Sequence, residues 1–556
     1  MKKLIAPCLA ILGGLLLPLA LPNEYFSWGN PALGLIAIAP LYMALDRASS
    51  YKAAFLFGAL FGGLAHGLSS YWLWFFQDFR VWTLGSSVLA YMIVYGVLGL
   101  YLRGALRHGG LWRPLLFAAI WAVFEWSKST GFLGYPWGLL PYSWNTVLPA
   151  IQIAESTGVY GLSFTLAWIS AAVGELASEP PAALPPDCLR IGSLAERVFA
   201  KRPFDAPCRL CLDLGQLMVS SVLLVAFLGY GSVALAKERT PRGSFKAVLV
   251  QQNVDSWGSA NGELTALDTA VTLARKAIED SGVKPDLVVF SETALRRDYD
   301  DFAYLYRRVP MADPLIPFLA EFDTRLFTGA PELFELDGQM EATNSVILIG
   351  PDGAKEGSYA KMHPVPFAEA IPFWDVPAFR SFIQNTVGLS SGWTMGNQRV
   401  IFSLPTEGAG EVRFAGPICF EDAFSYLCRR FVLDGAELLV NLTNDSWSLT
   451  DSAEIQHFVA ARFRSVELRR TLVRSTNGGV TGLVYPDGSV HDTLPLFTAA
   501  AVLVDVPVYT DEITPYLLFG DWFPAFLAFF LGLGGIILFL GLRSPRNYTK
   551  QGDGTA

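Results

Sequence analysis

The feature that most limits the fold of this chain is a series of long apolar segments. A membrane-spanning helix needs about 20 mostly apolar residues. Eight segments approach that length, at roughly 4–21, 31–47, 53–75, 84–106, 112–128, 155–176, 214–236 and 523–543. Charged residues make up only 16% of the chain, against about 25% in soluble domains. The sequence therefore predicts a membrane bundle of about eight transmembrane helices.

Basic residues indicate which loops face the cytoplasm, because cytoplasmic loops retain Lys and Arg. Lys2 and Lys3 precede the first apolar segment, as in a signal peptide, but no clear cleavage site follows, so an uncleaved helix is expected. If the N-terminus is inside, the short outside loops hold only Arg80 and Lys128 among the basic residues. Seven crossings then place residues 242–520 outside the cytoplasm. We expect a multi-pass protein of a bacterial inner membrane with a periplasmic domain.

Three regions follow from this division: a membrane domain at 1–241, a soluble domain at 242–520, and a last helix with a cytoplasmic tail at 521–556. Within 242–520, short apolar strands such as Asp286–Phe290 and Glu437–Asn441 alternate with helical stretches. This alternation predicts an α/β sheet covered on both faces. Ligand sites in such folds lie at the carboxyl ends of the strands.

Polar side chains with reactive chemistry follow three of these predicted elements. Cys419 comes directly after a strand, where a following helix N-terminus would lower the thiol pKa and favour a nucleophilic thiolate. Glu292 ends another apolar strand and is suited to act as a general base. Lys361 follows a hairpin and could stabilise an oxyanion. Taken one at a time, each residue also fits a structural role. Cys419 fits a buried thiol, Glu292 a member of an ion pair, and Lys361 a surface lysine.

The remaining composition excludes several other chemistries. The five histidines form no metal motif, and the chain has no G-x-S-x-G elbow. We expect His363 and His457 to be structural hydrogen-bonding groups and the site to need no cofactor or metal. Cys188, Cys208 and Cys211 lack a fourth zinc ligand and are interpreted as ordinary cysteines. A net charge of −9 argues against a nucleic-acid partner.

The three reactive residues lie in short motifs whose order resembles the nitrilase superfamily. The motifs are F-S-E-T at 290–293, Y-A-K-M-H at 359–363 and P-I-C-F-E-D at 417–422. Together with eight apolar segments, they make nearly the whole chain similar to the apolipoprotein N-acyltransferase family. Two positions depart from the family pattern: Phe420 stands where Tyr is frequent, and Ser291 where Pro is common.

The resemblance implies an αββα sandwich in which Cys419 is the nucleophile, Glu292 the base and Lys361 the oxyanion-stabilising group. Glu369 and Glu421 match supporting carboxylates. The implied reaction moves an sn-1 acyl group from a phospholipid, such as phosphatidylethanolamine, through a thioacyl-cysteine. The acceptor is the α-amine of a diacylglyceryl-cysteine at the N-terminus of an apolipoprotein, and a monomer is expected. Trp257 is a candidate lid residue.

Two other functions remain open from the residues themselves. A membrane-tethered amidase would share the three groups but deliver the acyl group to water. A transporter or receptor would use the outer domain only for binding, and would carry charged residues near the bilayer midplane. Tryptophans near the apolar segments, including Trp72 and Trp137, are predicted to form interfacial belts.

Overall fold

The computed structural model describes most of the chain, with short gaps and one longer gap. The described residues are 2–76, 80–178, 209–255, 262–309, 312–336, 338–366, 368–371, 373–374, 376–386 and 392–543. Trp257, Cys188 and Cys208 lie outside these ranges, and so does the side chain of Cys211. The predictions made for these four residues stay predictions.

Among the described residues, the N-terminal part is helical. Its helices of eight or more residues are α1 (Lys2–Ala20), α2 (Ala39–Asp46), α3 (Tyr51–Ser69), α4 (Arg80–His108), α5 (Arg113–Lys128), α6 (Val159–Ser178) and α7 (Arg209–Ala236). One-turn helices lie at Pro31–Gly34, Leu148–Ile151 and Ala154–Thr157. Large side chains from several of these helices, including Phe61, Tyr95 and Trp121, are buried together, so the helices form one packed bundle.

Three of these helices are long and apolar enough to cross a membrane by length and composition: α4, α6 and Leu212–Ala236 within α7. Leu4–Ala20, Pro31–Asp46 and Trp522–Ile536 are shorter apolar helices. The segment predicted at 53–75 is helical only to Ser69, and a 3-10 turn follows at Tyr71–Phe75. A membrane domain is thus supported, whereas the count of eight transmembrane helices stays a prediction.

The α/β domain is built on two six-stranded sheets. The first has the order β12-β1-β2-β3-β4-β5 and the second β11-β10-β9-β8-β7-β6. The strands are β1 (Gly243–Gln251), β2 (Leu287–Val289), β3 (Arg325–Leu336), β4 (Gln339–Ile349), β5 (Lys355–Ala360), β6 (Phe402–Thr406), β7 (Gly410–Ala415), β8 (Leu438–Thr443), β9 (Thr471–Thr476), β10 (Gly482–Val484), β11 (Val490–His491) and β12 (Ala500–Val508). In each sheet three parallel strands, β1-β2-β3 or β7-β8-β9, are flanked by antiparallel ones.

The two sheets pack face to face, and helices cover their outer faces. In β2 the side chains alternate: Leu287 and Val289 join the core between the sheets, whereas Val288 joins the core under the helices. Ser475 of β9 donates across the layer to the carbonyl oxygen of Val289, at 3.0 Å. The helices of this domain are α8 (Gly262–Ser281), α9 (Tyr299–Tyr306), α10 (Leu315–Phe322), α11 (Pro377–Thr386), α12 (Ser425–Leu433) and α13 (Asp451–Leu468). The predicted αββα sandwich is confirmed.

Helix α13 joins the α/β domain to the helical bundle. From Ser452 to Leu468 it is buried on every side, which an ordinary surface helix is not. The amide of Gln456 donates to the carbonyl oxygen of Ser69 at 3.0 Å and accepts from the indole of Trp72 at 3.1 Å. Trp72 is therefore a buried contact between the two parts, and the prediction that it belongs to an interfacial belt is wrong. A last helix, α14 (Trp522–Arg543), packs against α5.

The close packing of the two sheets gives a test of the fold. A Cβ on Gly416, just after β7, would lie 2.4 Å from the ring of Phe327. That ring cannot retreat, since it already packs on Phe402 and Phe414 with centroids 5.0 Å away. Gly416→Ala should therefore destabilise the protein by about 1–3 kcal/mol through overpacking. Thermal unfolding in detergent measures it, with Gly262→Ala, whose Cβ meets nothing within 4 Å, as the control; equal melting temperatures would contradict the packing.

Candidate active site

Glu292 stands just beyond the end of β2, on a backbone that Gly329 of β3 allows to come close. Thr293 adopts a left-handed conformation with φ of +52°, which costs a non-glycine residue free energy. A Cβ on Gly329 would lie 2.3 Å from the backbone nitrogen of Thr293. The glycine therefore makes room for the turn that aims Glu292 away from the sheet and into the site.

Lys361 is buried between two carboxylates. Its ammonium lies 3.4 Å from Glu292 Oε1 and 2.8 Å from Glu369 Oε1, and its side chain is only 3% exposed. Burial acts to lower the pKa of Lys361, but the charges of Glu369 and Glu292 outweigh it and raise the pKa well above its usual value. Lys361 is therefore a fixed positive charge at neutral pH.

Two asparagines hold the Glu292 carboxylate in place. The side-chain amide of Asn344 donates to Glu292 at 2.8 Å and to Glu369 at 3.0 Å. The backbone N–H of Asn444 donates to the other Glu292 oxygen at 2.9 Å. Burial raises the pKa of Glu292, although Lys361 acts in the opposite direction. A carboxylate whose pKa is shifted toward neutral pH is suited to accept a proton.

Cys419 opens a 3-10 turn, Cys419–Ala423, that follows β7. Its φ of +48° is left-handed, and Asn441 holds its carbonyl oxygen with a side-chain N–H at 3.1 Å. The predicted α-helix N-terminus at this cysteine is absent, since α12 begins only at Ser425. Burial raises the pKa of the Cys419 thiol well above its usual value, and the negative charge of Glu292 adds to this effect. The expectation of a depressed thiol pKa is therefore wrong.

Glu421 supports the site from behind rather than entering it. One oxygen accepts from the backbone N–H groups of Met362 and His363 at 2.8 and 2.9 Å, and the other accepts from Ile418 at 2.8 Å. The hydroxyl of Tyr359 adds a fourth donor. Burial raises the pKa of Glu421 to about 7, while these donors act to lower it. The carboxylate thus links the backbone beside Lys361 to the backbone beside Cys419.

A second polar chain, centred on His457, runs behind Cys419. The thiol lies 3.8 Å from Asp445 Oδ1, and the other Asp445 oxygen lies 2.5 Å from His457 Nδ1. His457 Nε2 lies 2.8 Å from Asp422, which also pairs with Arg474 at 3.1 Å. Burial acts to lower the pKa of His457, but Asp445 and Asp422 outweigh it and raise the pKa to about 9. His457 is therefore an imidazolium at neutral pH.

Potential metal ligands are present in this chain. Donor atoms of Cys419, Asp445 and His457 lie within 4.8 Å of one another. Both ring nitrogens of His457, however, face carboxylate oxygens, and the raised pKa keeps both protonated. The geometry fits a charge-paired histidine better than a metal ligand, which must be a neutral imidazole.

These groups face a cavity of about 1920 Å³ that extends into the helical bundle. At one end it is lined by Glu292, Asn344, Cys419, Asp445 and His457, and at the other by apolar side chains including Val94, Val97, Tyr101, Val123 and Leu531. Trp137, from the loop after α5, packs on Phe420 with ring centroids 5.1 Å apart. It is buried in the wall of the site, so its prediction as a belt residue is also wrong.

The combination of two packed sheets with cysteine, glutamate and lysine at adjoining strand ends defines a carbon–nitrogen hydrolase domain, and the model of the Carbon-nitrogen hydrolase family matches residues 246–512. The model of the Apolipoprotein N-acyltransferase N-terminal domain matches residues 13–172. The chain is 38% identical to Apolipoprotein N-acyltransferase 2 of Treponema denticola, over 94% of this chain and 96% of that protein. Its identity to the protein of the same name from Treponema pallidum is 36%, over 97% and 95%. The chain belongs to the apolipoprotein N-acyltransferase family.

The raised pKa of His457 predicts a pH-dependent contribution to stability. Because the folded-state pKa of about 9 lies above the ordinary value of 6.5, this contribution is complete below pH 6.5 and is lost as the pH rises through about 9. The melting temperature of wild type should exceed that of His457→Gln at pH 6.5, and the difference should shrink toward pH 9.5. Exposed His108→Gln is the control. A difference that stays constant over this range would contradict the charged imidazolium.

Proposed function

We propose that this chain transfers a fatty acyl group from the sn-1 position of a phospholipid to the α-amine of an N-terminal diacylglyceryl-cysteine on an apolipoprotein. The observation that carries the proposal is the continuous cavity from apolar membrane helices to Cys419. Relatives named apolipoprotein N-acyltransferase over more than nine-tenths of the chain support the same reaction.

In the first half of the reaction, Cys419 attacks the ester carbonyl of the phospholipid. Its raised pKa means that the resting group is a thiol, so the proton must leave as the carbon–sulfur bond forms. Glu292 takes that proton, and the fixed charge of Lys361 stabilises the oxyanion of the tetrahedral intermediate. When the intermediate collapses, the carbon–oxygen bond to glycerol breaks and Glu292 returns its proton to the leaving oxygen. A lysophospholipid is released and a thioester remains on Cys419.

In the second half, the amine of the lipoprotein attacks the thioester. Glu292, returned to its ionised form, deprotonates the amine, and Lys361 again faces the developing oxyanion. The carbon–sulfur bond then breaks, and Glu292 returns the proton to the Cys419 sulfur. The two substrates use the same site in turn, which is ping-pong kinetics. Glu369 keeps Lys361 in position through their 2.8 Å contact, and Glu421 fixes the backbone on either side. No cofactor is needed for these steps.

The setting we propose is a bacterial inner membrane with residues 242–520 on the periplasmic side. Apolar side chains of α4 that line the cavity are exposed rather than covered by neighbouring helices, Val97 at 42% and Tyr101 at 67%. A lipid can therefore enter from the side without leaving the bilayer. Water-soluble amides would gain nothing from such an apolar route, which favours the acyltransferase over a membrane-tethered amidase.

Intact-mass analysis tests the nucleophile. Wild-type protein incubated with a phospholipid labelled in its sn-1 chain should gain one hydroxylamine-labile acyl group, and a diacylglyceryl-cysteine peptide should remove it. Cys419→Ala should gain none, and Cys428→Ala, which replaces the buried cysteine of α12, should behave as wild type. An adduct that forms at another residue contradicts the assignment. An adduct discharged only by water would point to the amidase instead.

Chemical labelling tests the membrane orientation. In a variant whose six native cysteines are replaced, Asp323→Cys in the α/β domain and Lys52→Cys at the start of α3 supply single exposed thiols. A membrane-impermeant maleimide should label Asp323→Cys in cells with a permeabilised outer membrane, and Lys52→Cys only after lysis. The reverse pattern would place the α/β domain in the cytoplasm.

A further inference from the structure

One residue stands apart in the lining of the large cavity. Among the described residues that line it, Lys128, the last residue of α5, is the only lysine or arginine. The other charged groups of the lining, Glu292, Glu369, Asp445 and His457, belong to the reactive end. A buried cation beside an apolar cavity costs free energy unless hydrogen bonds and an anion compensate its charge.

The ammonium of Lys128 is only partly satisfied by the protein. It donates to the carbonyl oxygen of Trp137 at 2.7 Å, and within the described residues no carboxylate lies at salt-bridge distance. Glu125, one turn earlier in α5, interacts with Lys128 through its charge, but its oxygens already accept from the backbone N–H of Leu140 at 2.7 Å and from the hydroxyl of Ser163. Since an ammonium has three donors, Lys128 retains capacity for an anion in the cavity.

A second unsatisfied group lies next to it. His66 is 6% exposed, lines the same cavity, and its Nε2 has no hydrogen-bond partner among the described residues. The imidazole stacks on Tyr91 at a centroid distance of 4.0 Å, and Lys128 Nζ lies 6.0 Å from the centroid of that same ring. Two polar side chains with spare capacity thus share one aromatic neighbour within the described part of the bundle.

Trp137 connects Lys128 to the backbone segment that carries Cys419. The carbonyl oxygen of Trp137 accepts from Lys128, and the ring of Trp137 stacks on Phe420, the neighbour of Cys419. A phospholipid places its phosphate one glycerol unit away from the sn-1 carbonyl carbon. An ester bound for attack by Cys419 therefore brings its phosphate toward this side of the cavity, while its chains follow the apolar helices.

We propose that Lys128 and His66 form the subsite for the phosphate of the acyl donor. The inference rests on the proposed function and deepens it, since it assigns the headgroup of the phospholipid to named residues. Lys128 supplies the charge, and His66 Nε2 supplies a directed hydrogen bond. The diacylglyceryl-cysteine acceptor carries no phosphate. Lys128 therefore selects the substrate of the first half-reaction and leaves the second unaffected.

The test compares two donors that share the same ester. Thioester formation on Cys419 is followed by intact mass with phosphatidylethanolamine and with a diacylglycerol of the same chains, both in detergent micelles. Lys128→Met should slow acylation by the phospholipid about tenfold, as expected for a lost charge-assisted contact, and leave acylation by diacylglycerol unchanged. Lys128→Arg should retain activity with the phospholipid, and His66→Phe should reproduce the selective loss more weakly.

Two further measurements distinguish a phosphate subsite from a purely structural role of Lys128. Thioacyl enzyme, once formed, should pass its acyl group to the diacylglyceryl-cysteine peptide at the same rate in Lys128→Met and wild type. A diether phosphatidic acid should inhibit wild type more strongly than the matching diether glycerol, and Lys128→Met should remove that preference. Exposed Lys284→Met, in the α/β domain, controls for loss of one positive charge.

Three outcomes would overturn the subsite. Equal slowing with both donors would make Lys128 a structural residue, and no slowing with either would place the phosphate elsewhere. Inhibition by inorganic phosphate as strong as by the diether lipid would reveal a simple anion site. Failure of the proposed function gives a different result, because wild type would then form no thioester with either donor.

Discussion

The buried positive charge of Lys361 determines which other groups must lie in this site. Lys361 is 3% exposed, and an unpaired charge at that depth would cost several kcal/mol. Glu292 and Glu369 supply the balance, so the end of β2, the end of β5 and the loop that carries Glu369 must meet at one point. Removing Lys361 would leave Glu292 and Glu369 buried without their cation, at a cost of about 3–5 kcal/mol. Asn344 and the backbone of Asn444 then fix the carboxylate, so that one oxygen of Glu292 faces Lys361 and the other accepts from the backbone N–H of Asn444.

The helical bundle is as much a part of the site as the α/β domain. Trp137 forms one wall beside Phe420, and the side-chain amide of Gln456 in α13 donates to the carbonyl oxygen of Ser69, the last residue of α3. Arg469, which is fully buried, reaches Glu155 of the bundle at 2.6 Å. Such buried polar contacts are costly to break, so the two parts form one structure. Cys419 is thereby held at one end of a cavity whose other walls are apolar helices of the bundle.

The sequence predicted the features that depend on local pattern, and missed those that depend on distant neighbours. Glu292 and Cys419 follow apolar runs, so their places at strand ends could be read directly. The strand β5 and the edge strand β6 escaped notice because they are short and partly polar. The contact of His457 with Asp445 and Asp422 was hidden, because it arises where α13 meets two separate strand ends. The raised thiol pKa follows from burial, which a motif does not report.

The exposed α4 residues in the cavity wall, past which we propose that the donor enters, change what the donor concentration means for this protein. A donor that enters from the bilayer is diluted by other lipids rather than by water, so occupancy of the site depends on its mole fraction in the membrane. The rate of acyl-enzyme formation then responds to bilayer composition and to the number of lipids per protein in a micelle. Adding detergent at constant donor concentration acts as dilution, although no molecule in the assay becomes scarcer per litre.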